Sequence, residues 1–177
     1  MIEVEAKATI ENLSEIKKKA AKIGKYIGHK RKTDEYYTLE NLSKYPKKSI
    51  RIRKKKGKYE VNFKRKLSYI KGVHAKKEVE LKIQDISGFK ALIKDFGFKK
   101  WLGKEKETYL YKIKKNFNIE INKVKNLGWF LEIEYLCLPE EINKARNEVL
   151  KVAELLGVRK KDIIEKGYTK ILWEKFN

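Results

Sequence analysis

Glu3, Glu5 and Lys7 alternate with Ile2, Val4 and Ala6 at the start of the chain. In a β-strand, alternate side chains point to opposite faces. One face of this strand is therefore apolar, and the other carries two carboxylates and an ammonium. Same-face neighbours sit roughly 7 Å apart. Two carboxylates at that spacing repel unless a cation lies beside them. A divalent metal with oxygen ligands suits them, and the lysine suits an anion bound to that metal. The pattern returns in Glu78 with Glu80 and in Glu132 with Glu134. Lys7, Arg51, Arg53, Lys64, Lys76, Lys104 and Lys106 accompany these pairs. Clustered carboxylates and clustered bases make two sub-sites, one for divalent cations and one for a highly charged anion. A triphosphate with Mg²⁺ or Mn²⁺ meets both needs, because the metal bridges its oxygens to the carboxylates.

The elements that must position these groups follow from period and punctuation. Residues 1–9 read as a strand. Asn12 or Ser14 caps a helix through about Ile23, closed by Gly24. Strands are expected over Tyr26–Leu39, Ser49–Lys55 and Lys58–Leu67, the last two joined at Gly57. Val73–Ile83 alternates again, and Ile86–Asp95 reads as a short helix closed by Gly97. Further strands are expected over Phe98–Ile113, Asn116–Val124 and Trp129–Cys137. Pro139 starts a helix through Leu156, closed by Gly157, and a last helical stretch, Lys161–Lys175, breaks near Gly167. About eight strands with few helices predict an α+β chain built on an antiparallel sheet or closed barrel.

Along these strands one face is apolar and the other charged. Ile50 and Ile52 oppose Arg51 and Arg53. Val61 and Phe63 oppose Asn62 and Lys64. Ile119 and Ile121 oppose Glu120 and Asn122, and Leu131 and Ile133 oppose Glu132 and Glu134. Either the charged face is solvated over an apolar underside, or the sheet curls so that the charged face lines a wet tunnel. The paired carboxylates favour the tunnel, since a solvated surface mixes its charges loosely with Thr, Ser and Gln.

The 177 residues suit one domain, 1–177, and carry 45 basic against 24 acidic side chains, a net charge of +21. That balance favours polyanionic partners. Only six residues are arginine, and base readout favours arginine. The lysine runs therefore read as solvated faces, and nucleic acid is not expected as a partner. Cys137 is the single cysteine, which excludes an intrachain disulfide and fits a reducing cytoplasm. No run is long enough to be expected to span a membrane, and the first residues show no signal-peptide pattern. Abundant Lys and Glu with one glutamine, Gln84, predict a thermophile; a melting midpoint near about 50 °C would count against it. His29 and His74 lie far apart and read as surface residues. Trp101, Trp129 and Trp173 read as packing.

The ordered set of segments resembles the CYTH superfamily, the triphosphate tunnel metalloenzymes. Glu3-x-Glu5-x-Lys7 is similar to the ExExK signature. Asp34-Glu35-Tyr36-Tyr37 resembles D-x-Y-[YF], and Ser49–Arg53 resembles L-R-I-R. Phe63-Lys64 fits a strand carrying one lysine, Lys76-x-Glu78-x-Glu80 resembles R-x-E-x-E, and Lys104-x-Lys106 resembles K-x-R. Leu127–Glu134 is close to L-G-x-F-x-E-I-E, and Tyr168 with Ile171-Leu172 resembles S-Y-x-x-L-L. The resemblance implies an eight-stranded antiparallel β-barrel with an open triphosphate tunnel and peripheral helices. It implies Mg²⁺ or Mn²⁺ held by Glu3, Glu5, Glu132 and Glu134, with Glu78 and Glu80 nearby. It implies a triphosphate held by Lys7, Arg51, Arg53, Lys64, Lys76, Lys104 and Lys106, with Lys7, Lys64 and Glu5 central to turnover. The implied activity is that of a CyaB-type class IV adenylate cyclase, converting ATP to cyclic AMP and pyrophosphate. The alternatives are a triphosphatase acting on tripolyphosphate, thiamine triphosphate or a nucleoside triphosphate, and a non-catalytic polyphosphate or nucleic-acid binding module. Homodimers occur in the family, but no interface signal is legible here. Lys76 and Lys106 replace arginines, turning bidentate contacts into point charges. Asn122 replaces an aspartate that would be a metal ligand or base.

Overall fold

The computed structural model describes the backbone of all 177 residues, and every side chain except those of Lys64, Arg65, Lys66 and Lys160. Eight strands are present: β1 (Ile2–Thr9), β2 (Lys25–Thr38), β3 (Ile50–Lys55), β4 (Lys58–Ile70), β5 (Val73–Ile83), β6 (Lys99–Lys114), β7 (Phe117–Val124) and β8 (Gly128–Cys137). Four helices accompany them: α1 (Leu13–Ile23), α2 (Ile86–Asp95), α3 (Ile142–Leu155) and α4 (Tyr168–Phe176). The strands close into one antiparallel barrel in the order β1-β5-β4-β3-β2-β6-β7-β8. Closure is made by β1 on β8, from Ile2 opposite Cys137 to Thr9 opposite Phe130.

Local chemistry sets the ends of these elements. The Asn12 side chain accepts from the Glu15 N–H at 3.1 Å and caps α1. The β3–β4 hairpin turns at Lys56 and Gly57 with φ of 49° and 75°, a two-residue turn whose twist matches the strands. Pro139 does not open an α-helix directly: Pro139–Glu141 forms a 3₁₀ turn, and α3 follows from Ile142. The final helical stretch is a 3₁₀ turn at Lys160–Asp162 and then α4, with Gly167 at the break.

The apolar face of the strands lies outside the barrel. Val4, Ala6, Ile119, Ile121, Leu131 and Ile133 are buried with Ala145, Val149, Val152 and Ala153 of α3. Burying one such Val, Leu or Ile contributes about 1.5–3 kcal/mol, so α3 ties β1, β7 and β8 together. On another wall, Ile52 and Val61 pack with Ile93 of α2. An ordinary small barrel fills its interior with apolar side chains. Here the helices take that role from outside, and the interior is left to the charged face. No helix among the described residues is long and apolar enough to cross a membrane.

Candidate metal and phosphate site

Buried charges line the inside of the barrel: Glu3, Glu5, Lys7, Asp34, Lys104, Lys106, Glu120 and Glu132. Buried ions must be paired and hydrogen-bonded, and these are. Lys7 Nζ lies 3.0 Å from Glu132 and 3.4 Å from Glu5. Lys106 Nζ donates to Glu120 at 3.0 Å and to Glu132 at 2.9 Å. Lys32 donates to Glu120 at 3.2 Å. Lys76 is paired with Glu5.

Asp34 anchors a second cluster. Arg53 grips it with two parallel bonds, Nε to Oδ1 at 2.7 Å and Nη2 to Oδ2 at 2.9 Å. Lys104 reaches Asp34 at 3.0 Å and donates to the Tyr36 hydroxyl at 2.9 Å. Arg51 donates to Asn62 at 2.6 Å and to Glu78 at 3.0 Å. Planar guanidinium groups on β3 thus face inward beside point-charge lysines on β1, β2 and β6.

The carboxylates converge in two groups, Glu3–Glu5–Glu134 and Glu120–Glu132–Glu134, each with oxygens within 4.8 Å of one another. Glu134 belongs to both. Burial alone would raise the Glu120 carboxyl, but Lys106 and Lys32 override it and bring it down to about 2. Glu132 is likewise held well below the usual range, against burial, by Lys106 and Lys7. Glu134 goes the other way. Burial and then Glu120, Glu3 and Glu132 push it well up, with Lys106 as the opposing charge. Three hard oxygen donors crowded around one such carboxylate are the donor set that Mg²⁺ or Mn²⁺ takes. The residues therefore fit the divalent ion implied by the strand pattern.

Burial alone would lower the lysine pKa values here. Glu5 and Glu132 instead hold Lys7 above the ordinary lysine value, and Glu120 and Glu132 do the same for Lys106. Both ammonium groups stay charged at any working pH.

The structure brings together Glu3, Glu5, Glu132 and Glu134, pairs Lys7, Lys76 and Lys106 with Glu5 or Glu132, and places Arg53 and Lys104 in the neighbouring Asp34 cluster. It sets Glu78 against Arg51, outside both carboxylate groups, and leaves Glu80 exposed. Lys64 lies outside the described side chains. Glu120 had no role at the level of sequence, although it lies on the charged face of its strand, and Lys32 belongs to a lysine run read there as a solvated face; here the two pair inside the barrel. Asn122 is fully buried and donates to Glu132 at 2.7 Å. His74 is buried, not at the surface: its ring lies tilted against Tyr69 at 4.5 Å between centroids and donates to the Glu165 carbonyl at 2.8 Å. It alternates with Val73 and Ala75, sits opposite Glu5 in the β1–β5 pairing, and is covered by the segment that carries Glu165. The tryptophans pack as expected. Trp101 and Trp173 meet edge to face at 5.7 Å, and Trp129 lies 6.0 Å from Tyr109.

A barrel closed around matched bases and carboxylates is the arrangement that the ordered segments imply, and residues 1–168 match the CYTH domain. The chain belongs to the CYTH family. A relative from Methanocaldococcus jannaschii, named as a candidate adenylate cyclase, is 30% identical over 175 residues, covering 97% of this chain and 98% of that protein. A solved structure from Pyrococcus horikoshii superposes with a TM-score of 0.80 at 29% identity, over 95% of this chain and 98% of the other. A Hippeastrum protein described as a candidate adenylyl cyclase with a dominant triphosphatase activity shares the fold at a TM-score of 0.61 and 14% identity. That match covers 96% of this chain and 93% of the other.

Proposed function

We propose that this CYTH chain is a divalent-metal-dependent enzyme acting on a triphosphate, read first as a CyaB-type adenylate cyclase. One observation supports it above the others: carboxylate groups suited to Mg²⁺ or Mn²⁺ interleave with Lys7, Lys104, Lys106, Arg51 and Arg53 inside one closed barrel. Glu3, Glu5, Glu132 and Glu134 would hold the metal, with Glu120 alongside. When bound, the ion neutralises phosphate charge and draws electrons from phosphorus. Lys7, Lys104 and Lys106 hold non-bridging oxygens as point charges, and Arg51 and Arg53 hold them through planar forks. These donors are already ordered by ion pairs, so they stabilise charge on the leaving group without reorganising.

Two outcomes share this site. If the ribose 3′-oxygen attacks the α-phosphorus, the bond to the β-bridging oxygen breaks and pyrophosphate leaves with cyclic AMP. If water attacks the γ-phosphorus, the terminal anhydride breaks to give a diphosphate and orthophosphate. The Methanocaldococcus relative's name supports the first reading, and the activity described for the Hippeastrum protein supports the second. The matched charges inside the barrel weigh against simple nucleic-acid binding, since unbridged carboxylates repel a phosphate backbone. A buried lone thiol, Cys137, supports a reducing, cytoplasmic setting.

The test is incubation of purified protein with ATP, tripolyphosphate and thiamine triphosphate, each with Mg²⁺ or Mn²⁺, with products resolved by chromatography. Cyclic AMP with pyrophosphate supports the cyclase; orthophosphate with a diphosphate supports the triphosphatase. No product from any pair overturns the enzymatic reading.

A further inference from the structure

Tyr168, the first residue of α4, closes the interior at one end of the barrel. It is 5% exposed and packs on Phe130 at 4.9 Å between centroids. Val124 and Phe130, which continue the inward faces of β7 and β8 past Asn122 and Glu132, form an apolar floor with it. Three ammonium groups face its ring: Lys7 Nζ at 4.8 Å, Lys104 Nζ at 5.6 Å and Lys106 Nζ at 5.9 Å from the centroid. These come from two different strands, and like charges so gathered repel one another. Each has a carboxylate partner. The ring adds a second attraction that those partners cannot supply.

We propose that Tyr168 is a positioning residue for the triphosphate: its π face gathers Lys7, Lys104 and Lys106 into one anion-binding set. A fourth carboxylate in this place would hold the lysines equally well, but it would repel the phosphates. A neutral aromatic face attracts cations through its quadrupole and leaves the net charge offered to the anion unchanged. A phenol, with an ordinary pKa of about 10, is neutral at working pH.

The chain fixes this ring with three tethers, each tied to the wall that carries the site. The Ile164 N–H donates to the Lys7 carbonyl at 2.9 Å. Ile163 makes a β-bridge with Ala8. His74, opposite Glu5 in the β1–β5 pairing, donates Nε2–H to the Glu165 carbonyl at 2.8 Å. The strap passes close over Gly72, where an added Cβ would lie 2.9 Å from Ile163. Tyr168 is therefore held by the same two strands, β1 and β5, that present Lys7, Glu5 and Lys76.

The inference rests on the triphosphate reading and is tested by titration calorimetry with tripolyphosphate in EDTA, so that metal plays no part. The full chain is compared with Tyr168→Phe, with Tyr168→Leu, and with phenylalanines of increasing fluorination placed at 168, which keep the shape and weaken the π face. Tyr168→Phe should bind as the native chain does. Tyr168→Leu should bind about tenfold more weakly, and affinity should fall stepwise with fluorine. The fluorinated series decides the matter even if Tyr168→Leu fails to fold. Affinity unchanged across that series overturns this inference alone. No binding by the native chain overturns the triphosphate reading and this inference with it.

Discussion

Asn122 donates its amide to Glu132 at 2.7 Å while accepting from the Thr108 hydroxyl at 2.7 Å. The two bonds fix which way the amide points. In this chain a buried neutral donor, not a carboxylate, supports Glu132. Asn122→Asp would set two carboxylates within hydrogen-bond distance in a buried place. We expect it to cost about 1–3 kcal/mol in EDTA, and to recover part of that on adding Mn²⁺, which the native chain would do less. Calorimetric melts with and without metal check this. Equal melting temperatures in EDTA would show that the Asn122 bond does not support Glu132.

The convergence of carboxylates separates residues that look alike in sequence. Glu5→Gln and Glu132→Gln should each lower metal-dependent turnover by about 100-fold or more, on the scale of losing one preorganised electrostatic contact. Glu80→Gln should leave turnover close to native, because Glu80 is exposed and lies outside both carboxylate groups. Initial rates at saturating metal measure all three. A Glu80 effect equal to that of Glu5 would mean that the metal sits nearer β5.

Asp34 holds Arg53 and Lys104 at 2.7 and 3.0 Å with 1% of its side chain exposed. Burial would raise its carboxyl, but Lys104 and Arg53 drive it far below the usual range. Removing it strands two buried cations, so Asp34→Ala should cost about 3–5 kcal/mol. Removing Glu105 from its exposed pair with Lys125 should cost about 0–1 kcal/mol. Urea unfolding midpoints of the two variants test the contrast.

His74 predicts a pH effect. Burial, and then Lys76, lower its pKa, against the Glu165 carbonyl bond and Glu5, which raise it. The unfolded chain therefore takes up the proton more readily than the folded one. Stability from this group is complete above about pH 6.5 and is lost as pH falls toward its lower folded value. The melting temperature of the native chain should drop more between pH 7.5 and 5 than that of His74→Gln. Parallel curves would show that His74 takes up its proton equally readily in the folded and unfolded chains.

The alternation of Ile2, Val4 and Ala6 with Glu3, Glu5 and Lys7 is a local property, and so are the α1 cap, narrowed to Asn12 or Ser14, and the turn at Gly57. These were legible because strand period and turn chemistry depend on near neighbours alone. Membership of the ordered CYTH segments was legible for the same reason. Which carboxylates share a cation was not. Glu80 and Glu120 both lie on charged faces of alternating strands, yet one is solvent-exposed and the other joins Glu132 and Glu134. That choice is made by the stagger of strands around the closed barrel, where β7 pairs β8 with Glu120 opposite Glu132. The sequence by itself determined that one face of the sheet is charged. Closure, driven by burial of the other face under α2 and α3, decided that the charged face points inward, and also which residues meet there.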